Sequence, residues 1–199
     1  MKKPKTWLYK WFRPLLIAYI FILYKPKIIN KHFIPKEGAV ITAGGTHERL
    51  VLDSLMIYVS TPRIIRALAK KEHFEGPKKF FFANVGCVPV DRGKGDDAAK
   101  QTMIKLLEEG NIVNIFPEGT RNQEGKELLL PFKKGVAVFA NKTKATIVPF
   151  AINSSWKPFK YDTVVEFGKG FKGSGDIEAD TDRLKNEVGQ ILKKLKNIE

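Results

Sequence analysis

Three short segments concentrate side chains that could do chemistry. The first is Thr46-His47-Glu48-Arg49, with Asp53 a few residues on. The second is Asp91-Arg92, and the third is Pro117-Glu118-Gly119-Thr120-Arg121. An imidazole titrates near neutral pH, with an unperturbed pKa of ~6.5, so His47 suits a general base. A carboxylate beside it, from Asp53, would fix its tautomer and support the imidazolium. Arginine offers a two-pronged fork to a phosphate. Together these segments describe a base that removes a proton beside a patch that holds an anion.

Competing motifs fail on inspection. His47-Glu48 begins like a zinc-binding helix, but Val51 stands where the second histidine should be. There is no Gly-x-Ser-x-Gly elbow and no phosphate-binding Gly-x-x-x-x-Gly-Lys-[Ser/Thr] loop. Three histidines (His32, His47, His73) and a single cysteine argue against a zinc site and against an intramolecular disulfide. Cys87 sits in an apolar run and is expected to be a buried, inert thiol. No metal and no bound prosthetic group are expected.

The elements that must carry these segments alternate. Ala39–Ala43 reads as a short strand ending at Gly44-Gly45, Leu52–Ser60 as a helix, Arg63–Ala69 as a strand and Lys71–Ala83 as a helix. Val85–Val90 is extended. Asp96–Glu109 is a helix with Ala99, Met103, Leu106 and Leu107 on one face and Gly110 as its stop. Asn111–Phe116 is the next strand, Lys133–Lys142 a helix, Ala145–Ile152 a buried strand and Thr163–Phe167 another. A last helix starts near Thr181, with Leu184, Val188, Ile191, Leu192 and Leu195 as its stripe. The Gly-rich stretch 168–175 reads as a surface loop. This alternation predicts an α/β fold with a largely parallel central sheet flanked by helices. Sites in such sheets lie just past strand ends, where all three segments fall.

Length and composition fit one domain with an appendage. The chain has 199 residues, 43% hydrophobic, enough for a real core. Its net charge of +14 predicts a polyanionic partner. Before Glu37 there are nine basic residues and no acidic one, and between them lies the apolar, aromatic run from Trp7 to Tyr24. The uncharged part, Pro14 to Tyr24, is shorter than the ~20 residues a spanning helix needs. Trp and Tyr at its edges suit lipid headgroups, and the lysines suit anionic lipid. The expectation is an interfacial anchor over residues 1–36, either one helix or two short helices bent near Pro14, ahead of a catalytic domain over 37–199. A signal peptide and a core helix are the competing readings. A nucleic-acid-binding arm is disfavoured because such arms are polar, and no nucleic-acid partner is expected.

The segments Thr46-His47…Asp53, Gly86-Cys87-Val88-Pro89-Val90-Asp91-Arg92, Phe116-Pro117-Glu118-Gly119-Thr120-Arg121 and Ile147-Val148-Pro149-Phe150 resemble the four motifs of the glycerolipid acyltransferases. The likeness runs from about Gly38 to Ile152, includes Phe132-Lys133-Lys134-Gly135, and is nearest to the bacterial 1-acylglycerol-3-phosphate acyltransferases. It implies a reaction in which His47, oriented by Asp53, deprotonates the free hydroxyl of a lysophosphatidic acid as that oxygen attacks a thioester, with no covalent acyl-enzyme. The product would be phosphatidic acid. The acyl donor would be acyl carrier protein or coenzyme A thioester, a co-substrate rather than a bound cofactor. Arg92, Glu118, Gly119, Thr120 and Arg121 would hold the phosphate and headgroup, with Lys70 near them. Pro149 would shape a strand near the acyl-donor site, or be an edge-strand proline. The protein would sit peripherally on the cytoplasmic face of the cell membrane, its surface anionic lipid. Another lysophospholipid or glycerol 3-phosphate is an alternative acceptor. A non-enzymatic basic protein that binds membrane or nucleic acid is the alternative of another class.

One departure from the family pattern stands out. The usual spacing leaves four residues between His and Asp; here Glu48, Arg49, Leu50, Val51 and Leu52 intervene. Six steps at ~100° each would put Asp53 about 120° from His47 on a regular helix. The pair can meet only if a loop or bulge holds the extra residue ahead of the helix.

Overall fold

The computed structural model describes residues 7–45, 50–76, 79–84, 87–90, 97–120, 122 and 127–198. In chain order the described elements are α1 (Trp7–Leu23), β1 (Lys27–Ile29), β2 (Val40–Gly45), α2 (Leu50–Ser60), β3 (Ile65–Lys70), α3 (Lys79–Asn84), β4 (Val88–Val90), α4 (Asp97–Glu108), β5 (Ile112–Ile115), α5 (Gly135–Thr143), β6 (Thr146–Asn153), β7 (Val164–Phe167), β8 (Phe171–Lys172) and α6 (Ile177–Lys196). The strands form one sheet in the order β1-β7-β6-β2-β5-β3-β4, with β8 also on β6. Pairings β1/β7, β6/β2, β2/β5, β5/β3 and β3/β4 are parallel, and β6/β7 and β6/β8 are antiparallel. The expected largely parallel sheet is present.

Side chains on successive strand positions point to opposite faces, so each central strand feeds two apolar layers. On one face Val40, Ile112, Val148 and Phe150 pack with Met56, Ile57 and Tyr58 of α2 and with Tyr9 and Ile20 of α1. On the other, Ile41, Ala43, Val113, Ile147 and Ala151 pack with Met103 and Leu107 of α4, Val136 and Ala140 of α5, and Leu184, Val188, Ile191 and Leu192 of α6. The result is a sheet covered by helices on both faces, as the alternation of elements requires.

The apolar N-terminal run forms one helix, α1, rather than two bent at Pro14. Pro14 lacks an N–H, so the helix forgoes one bond there. Packing on both sides of it compensates. The Tyr9 ring lies 5.7 Å from the Tyr58 ring, Arg13 donates to the Thr61 carbonyl at 2.9 Å, and Ile20 and Tyr24 are buried. The opposite stripe faces out, with Trp11, Leu15 and Ile22 exposed to 78%, 66% and 62%. The helix therefore joins the interior through one face only. No helix among the described residues is long and apolar enough to cross a membrane.

Four further elements differ from the sequence expectation. Lys71–Ala83 is not one helix: a 3-10 turn over Lys71–Phe74 is followed by α3, and Gly76, at φ +59°, breaks the chain between them. The last helix begins at Ile177, not near Thr181, because the Asp176 side chain accepts from the N–H groups of Glu178 and Ala179 and caps it. The Gly-rich stretch after β7 is not a plain surface loop. It holds β8, and Phe171 there is buried with the Arg183 guanidinium 4.1 Å from its ring centre. A short edge strand, β1, also precedes the expected domain and pairs with β7.

Candidate active site

Parallel register brings the ends of the motif-bearing strands to one edge of the sheet. Ala43 of β2 pairs with Ile115 of β5, and Lys70 of β3 pairs with Val90 of β4. The chain therefore leaves β2 toward Thr46-His47, β5 toward Pro117–Arg121, and β4 toward Asp91-Arg92 on the same side, while Lys70 ends β3 there. His47, Arg92 and Arg121 themselves lie outside the described residues. Helix α2 starts at Leu50, so the 46–49 segment precedes it and Asp53 falls in its first turn. Asp53 is fully buried. A carboxylate there gains from the positive end of the helix dipole.

Gly44 and Gly45 make the end of β2 thin. A Cβ on Gly44 would stand 2.1 Å from the Phe150 carbonyl oxygen. On Gly45 it would stand 2.3 Å from Leu129 Cδ2 and 3.3 Å from Glu118 Oε1. Only glycine lets Phe150 of β6 and the Leu129 and Glu118 side chains come this close to the end of β2. Thr42 Oγ1, two residues earlier, donates to Asn114 Oδ1 at 2.9 Å, so the buried polar groups of β2 and β5 satisfy each other beneath the rim.

Glu118 is turned inward. Its Oε2 accepts the Leu130 N–H at 3.0 Å, and its Oε1 is buried beside Gly45 with no hydrogen-bond partner among the described residues. Burial pushes its carboxyl above the ordinary range, opposed by the Leu130 N–H and by the charge of Lys185. One oxygen thus fixes the loop and the other is left for a donor at the rim. Gly119 takes φ +69°, and Thr120 beside it is exposed.

The structure also places a residue that sequence reasoning left out of the site. The Lys133 side chain lies over Gly119, with Nζ 2.8 Å from where a Cβ would stand, and its backbone N–H donates to the Pro117 carbonyl at 2.9 Å. Lys133 makes no ion pair among the described residues, whereas Lys134 pairs with Glu178. The signal was in the chain, in the Phe132-Lys133-Lys134-Gly135 block, but nothing local distinguished one lysine from the other.

Pro149 is level with Ala43 and Ile115, two residues short of the end of β2. It pairs with Ala43 in the middle of β6 and is buried. On its other side the β8 ladder stops at Ile147 and the β7 ladder starts at Phe150. Pro149 occupies that gap, and its carbonyl accepts the Gly168 N–H at 2.8 Å. A residue without an N–H fits where pairing is interrupted, so β6 is a central strand and the edge-strand reading fails. Cys87 is buried and its thiol is pushed up to about 11 by desolvation, so it stays protonated near neutral pH. Among the described residues no group of three His, Cys, Asp or Glu side chains could hold a metal ion.

The doubly covered α/β sheet thus carries a carboxylate, a positive-φ glycine and a lysine at the rim of its parallel strands. The chain belongs to the acyltransferase family, whose family model matches residues 25–153. It is 37% identical over 127 residues to a 1-acyl-sn-glycerol-3-phosphate acyltransferase of Bacillus subtilis, covering 63% of this chain and 61% of that protein. It is 34% identical over 118 residues to the protein of the same name from Helicobacter pylori, covering 57% and 48%. The chain thus spans between about half and three fifths of the length of these curated relatives. The fold matches that of a crystallised 1-acyl-sn-glycerophosphate acyltransferase, PlsC, from Thermotoga maritima, with a TM-score of 0.74 at 20% identity, covering 94% of this chain and 78% of that one.

Proposed function

We propose that this chain transfers a fatty acyl group from a thioester to the free hydroxyl of 1-acylglycerol 3-phosphate, giving phosphatidic acid. The observation that supports this reading is the parallel β2/β5 register, in which the strands that precede the His47 and Glu118 segments in the chain end on one side of the sheet. The names of the relatives supply the acceptor. His47 takes the hydroxyl proton as the oxygen attacks the thioester carbonyl; the tetrahedral intermediate collapses and the thiolate leaves, receiving a proton from the imidazolium. Asp53 holds the imidazole. Arg92, Arg121 and Lys133 bind the phosphate, Lys70 lies nearby, and Gly119 admits the headgroup close to the backbone. The donor is acyl carrier protein or coenzyme A thioester. The enzyme works as a peripheral protein at the cytoplasmic face of the membrane, with the exposed stripe of α1 in the interface and the basic residues in and around that helix on anionic lipid.

The test is acyl transfer to lysophosphatidate from both donors, by the wild type and by His47→Ala. Transfer by the wild type alone supports the reading. A wild type inactive with every lysophospholipid and with glycerol 3-phosphate would leave a non-enzymatic, basic membrane-binding protein.

A further inference from the structure

The loop 154–162 leaves β6 and returns into β7 at the same edge of the sheet as the motif-bearing segments. The parallel pairing Gly45↔Ala151 and the antiparallel pairing Asn153↔Val164 place it there. Helix α1 ends against this loop. The Phe159 N–H donates to the Leu23 carbonyl at 2.6 Å, the Tyr24 and Trp156 rings meet edge-on at 6.2 Å, and Lys25 Nζ stands 5.9 Å from the Tyr161 ring centre.

The backbone of this junction is held in an unfavourable state. Lys25, Trp156, Phe159 and Tyr161 all take left-handed φ, at 40°, 57°, 64° and 56°. Bulky side chains rarely accept that region. Phe159 is the sharpest case. Lys160 N–H bonds to the Lys157 carbonyl at 3.3 Å, closing a turn with Pro158 in second place and Phe159 in third. That is the pattern of a type II turn, whose third position favours glycine or asparagine. Trp156 recovers its strain by packing against Tyr24 and is buried. Phe159 and Tyr161 do not: they are 61% and 51% exposed and touch each other edge-on at 6.5 Å.

Strain that returns nothing to the interior marks a functional surface. The loop is also cross-linked by side-chain hydrogen bonds. Ser154 Oγ and Thr163 Oγ1 are 2.7 Å apart, Trp156 N–H donates to Ser154 Oγ at 3.0 Å, and Ser155 N–H donates to Asp162 at 3.3 Å. Lys25, whose Nζ stands over the Tyr161 ring, and Lys157 and Lys160, which flank Phe159 in the loop, are exposed, as is Lys27. The one acid of the loop, Asp162, lies 3.6 Å from Lys160.

We propose that Phe159 and Tyr161 form a second membrane contact, distinct in sequence from α1, that enters the headgroup boundary of an anionic bilayer while Lys25, Lys157 and Lys160 meet lipid phosphates. This rests on the peripheral-membrane reading above. Aromatic rings favour that depth, and lysines are drawn to anionic lipid. Two contacts flanking one rim would hold the active site's mouth against the leaflet that supplies the acceptor.

The full chain is sedimented with vesicles of phosphatidylcholine and phosphatidylglycerol, and its melting temperature is followed in parallel. Phe159→Gly with Tyr161→Asn should weaken binding by roughly tenfold while raising the melting temperature, because Gly and Asn fit left-handed backbone. Loss of binding with a lower melting temperature would mean that the rings serve the fold, and would overturn the proposal. Lys25→Gln with Lys157→Gln, which leaves the turn intact, should weaken binding to these vesicles and flatten its salt dependence; unchanged binding and salt dependence would also overturn it. Trp11→Ser with Leu15→Ser tests the α1 anchor separately. If that variant is released while the loop variant binds like the wild type, the loop proposal fails and the membrane reading stands. If the wild type itself does not bind, both fail. If the loop variant keeps vesicle binding but its KM for acylated carrier protein rises, the surface belongs to that acidic protein instead.

Discussion

Glu118 accepts the backbone N–H of Leu130 at 3.0 Å, twelve residues further along the chain. This one bond closes the loop that carries Gly119, Thr120 and Arg121, and it is made by a buried carboxyl whose second oxygen faces Gly45 at the end of β2. Two segments of the proposed site are thus held to a common wall by one side chain.

That carboxyl makes stability depend on pH. Burial raises the folded-state pKa of Glu118 above its unfolded value, so the folded state holds the proton more tightly. The resulting stabilisation is fully present below the unfolded carboxyl pKa and is lost as pH rises through the raised one. Glutamine keeps an acceptor for Leu130 and does not titrate. The melting temperature of Glu118→Gln relative to wild type should therefore climb as pH rises from below the ordinary carboxyl range to above it. A flat difference across that range would contradict the raised pKa.

Gly119→Ala should destabilise the protein. Its φ of +69° costs an alanine ~1–2 kcal/mol. The new Cβ would also displace the Lys133 side chain, now 2.8 Å from that point. The melting temperature should fall by about 2–4 °C for each kcal/mol lost. In a Lys133→Ala background the steric part vanishes and the backbone part remains, so the two substitutions should be less than additive. Strict additivity would show that Lys133 does not occupy that space.

His47→Ala should lower turnover on lysophosphatidate by on the order of 10²–10⁴, the usual loss with a general base, while thermal unfolding stays near that of wild type. Near-normal turnover would remove His47 from the chemistry.

Arg92→Ala, Arg121→Ala and Lys133→Ala should raise the KM for lysophosphatidate more than that for the thioester. A charge-assisted hydrogen bond contributes ~1.5–3 kcal/mol, so each arginine change should cost tenfold or more, and exposed Lys133 less. An effect confined to the donor would assign these cations to the carrier's phosphate groups.

Sequence alone determined what depends on neighbours along the chain. The short apolar run of β2 and the stripe of α4 are each set by consecutive residues, and both elements lie within a residue or two of where their patterns put them. The order of the motif segments after their strands was equally legible, because a strand followed by Gly-Gly or Pro-Glu-Gly is a local signal. The apolar stripe of α6 put its expected start near Thr181, and the Asp176 cap that begins the helix at Ile177 emerged only from the structure. Tertiary structure decided what depends on distant partners. β1 is three residues long and β8 two; each is a strand only because β7 or β6 lies beside it, and neither segment has a pattern of its own. Pro149 tells the same story: a proline in a strand reads as an edge from the sequence, and only the gap between the β7 and β8 ladders makes it central. Which oxygen of Glu118 is committed and which of two adjacent lysines covers Gly119 are likewise facts of packing. So is the split of α1 into a buried face under Tyr9 and Ile20 and an exposed one at Trp11 and Leu15. A dense apolar run says that burial is favourable, but the surface that receives it is built from residues far along the chain.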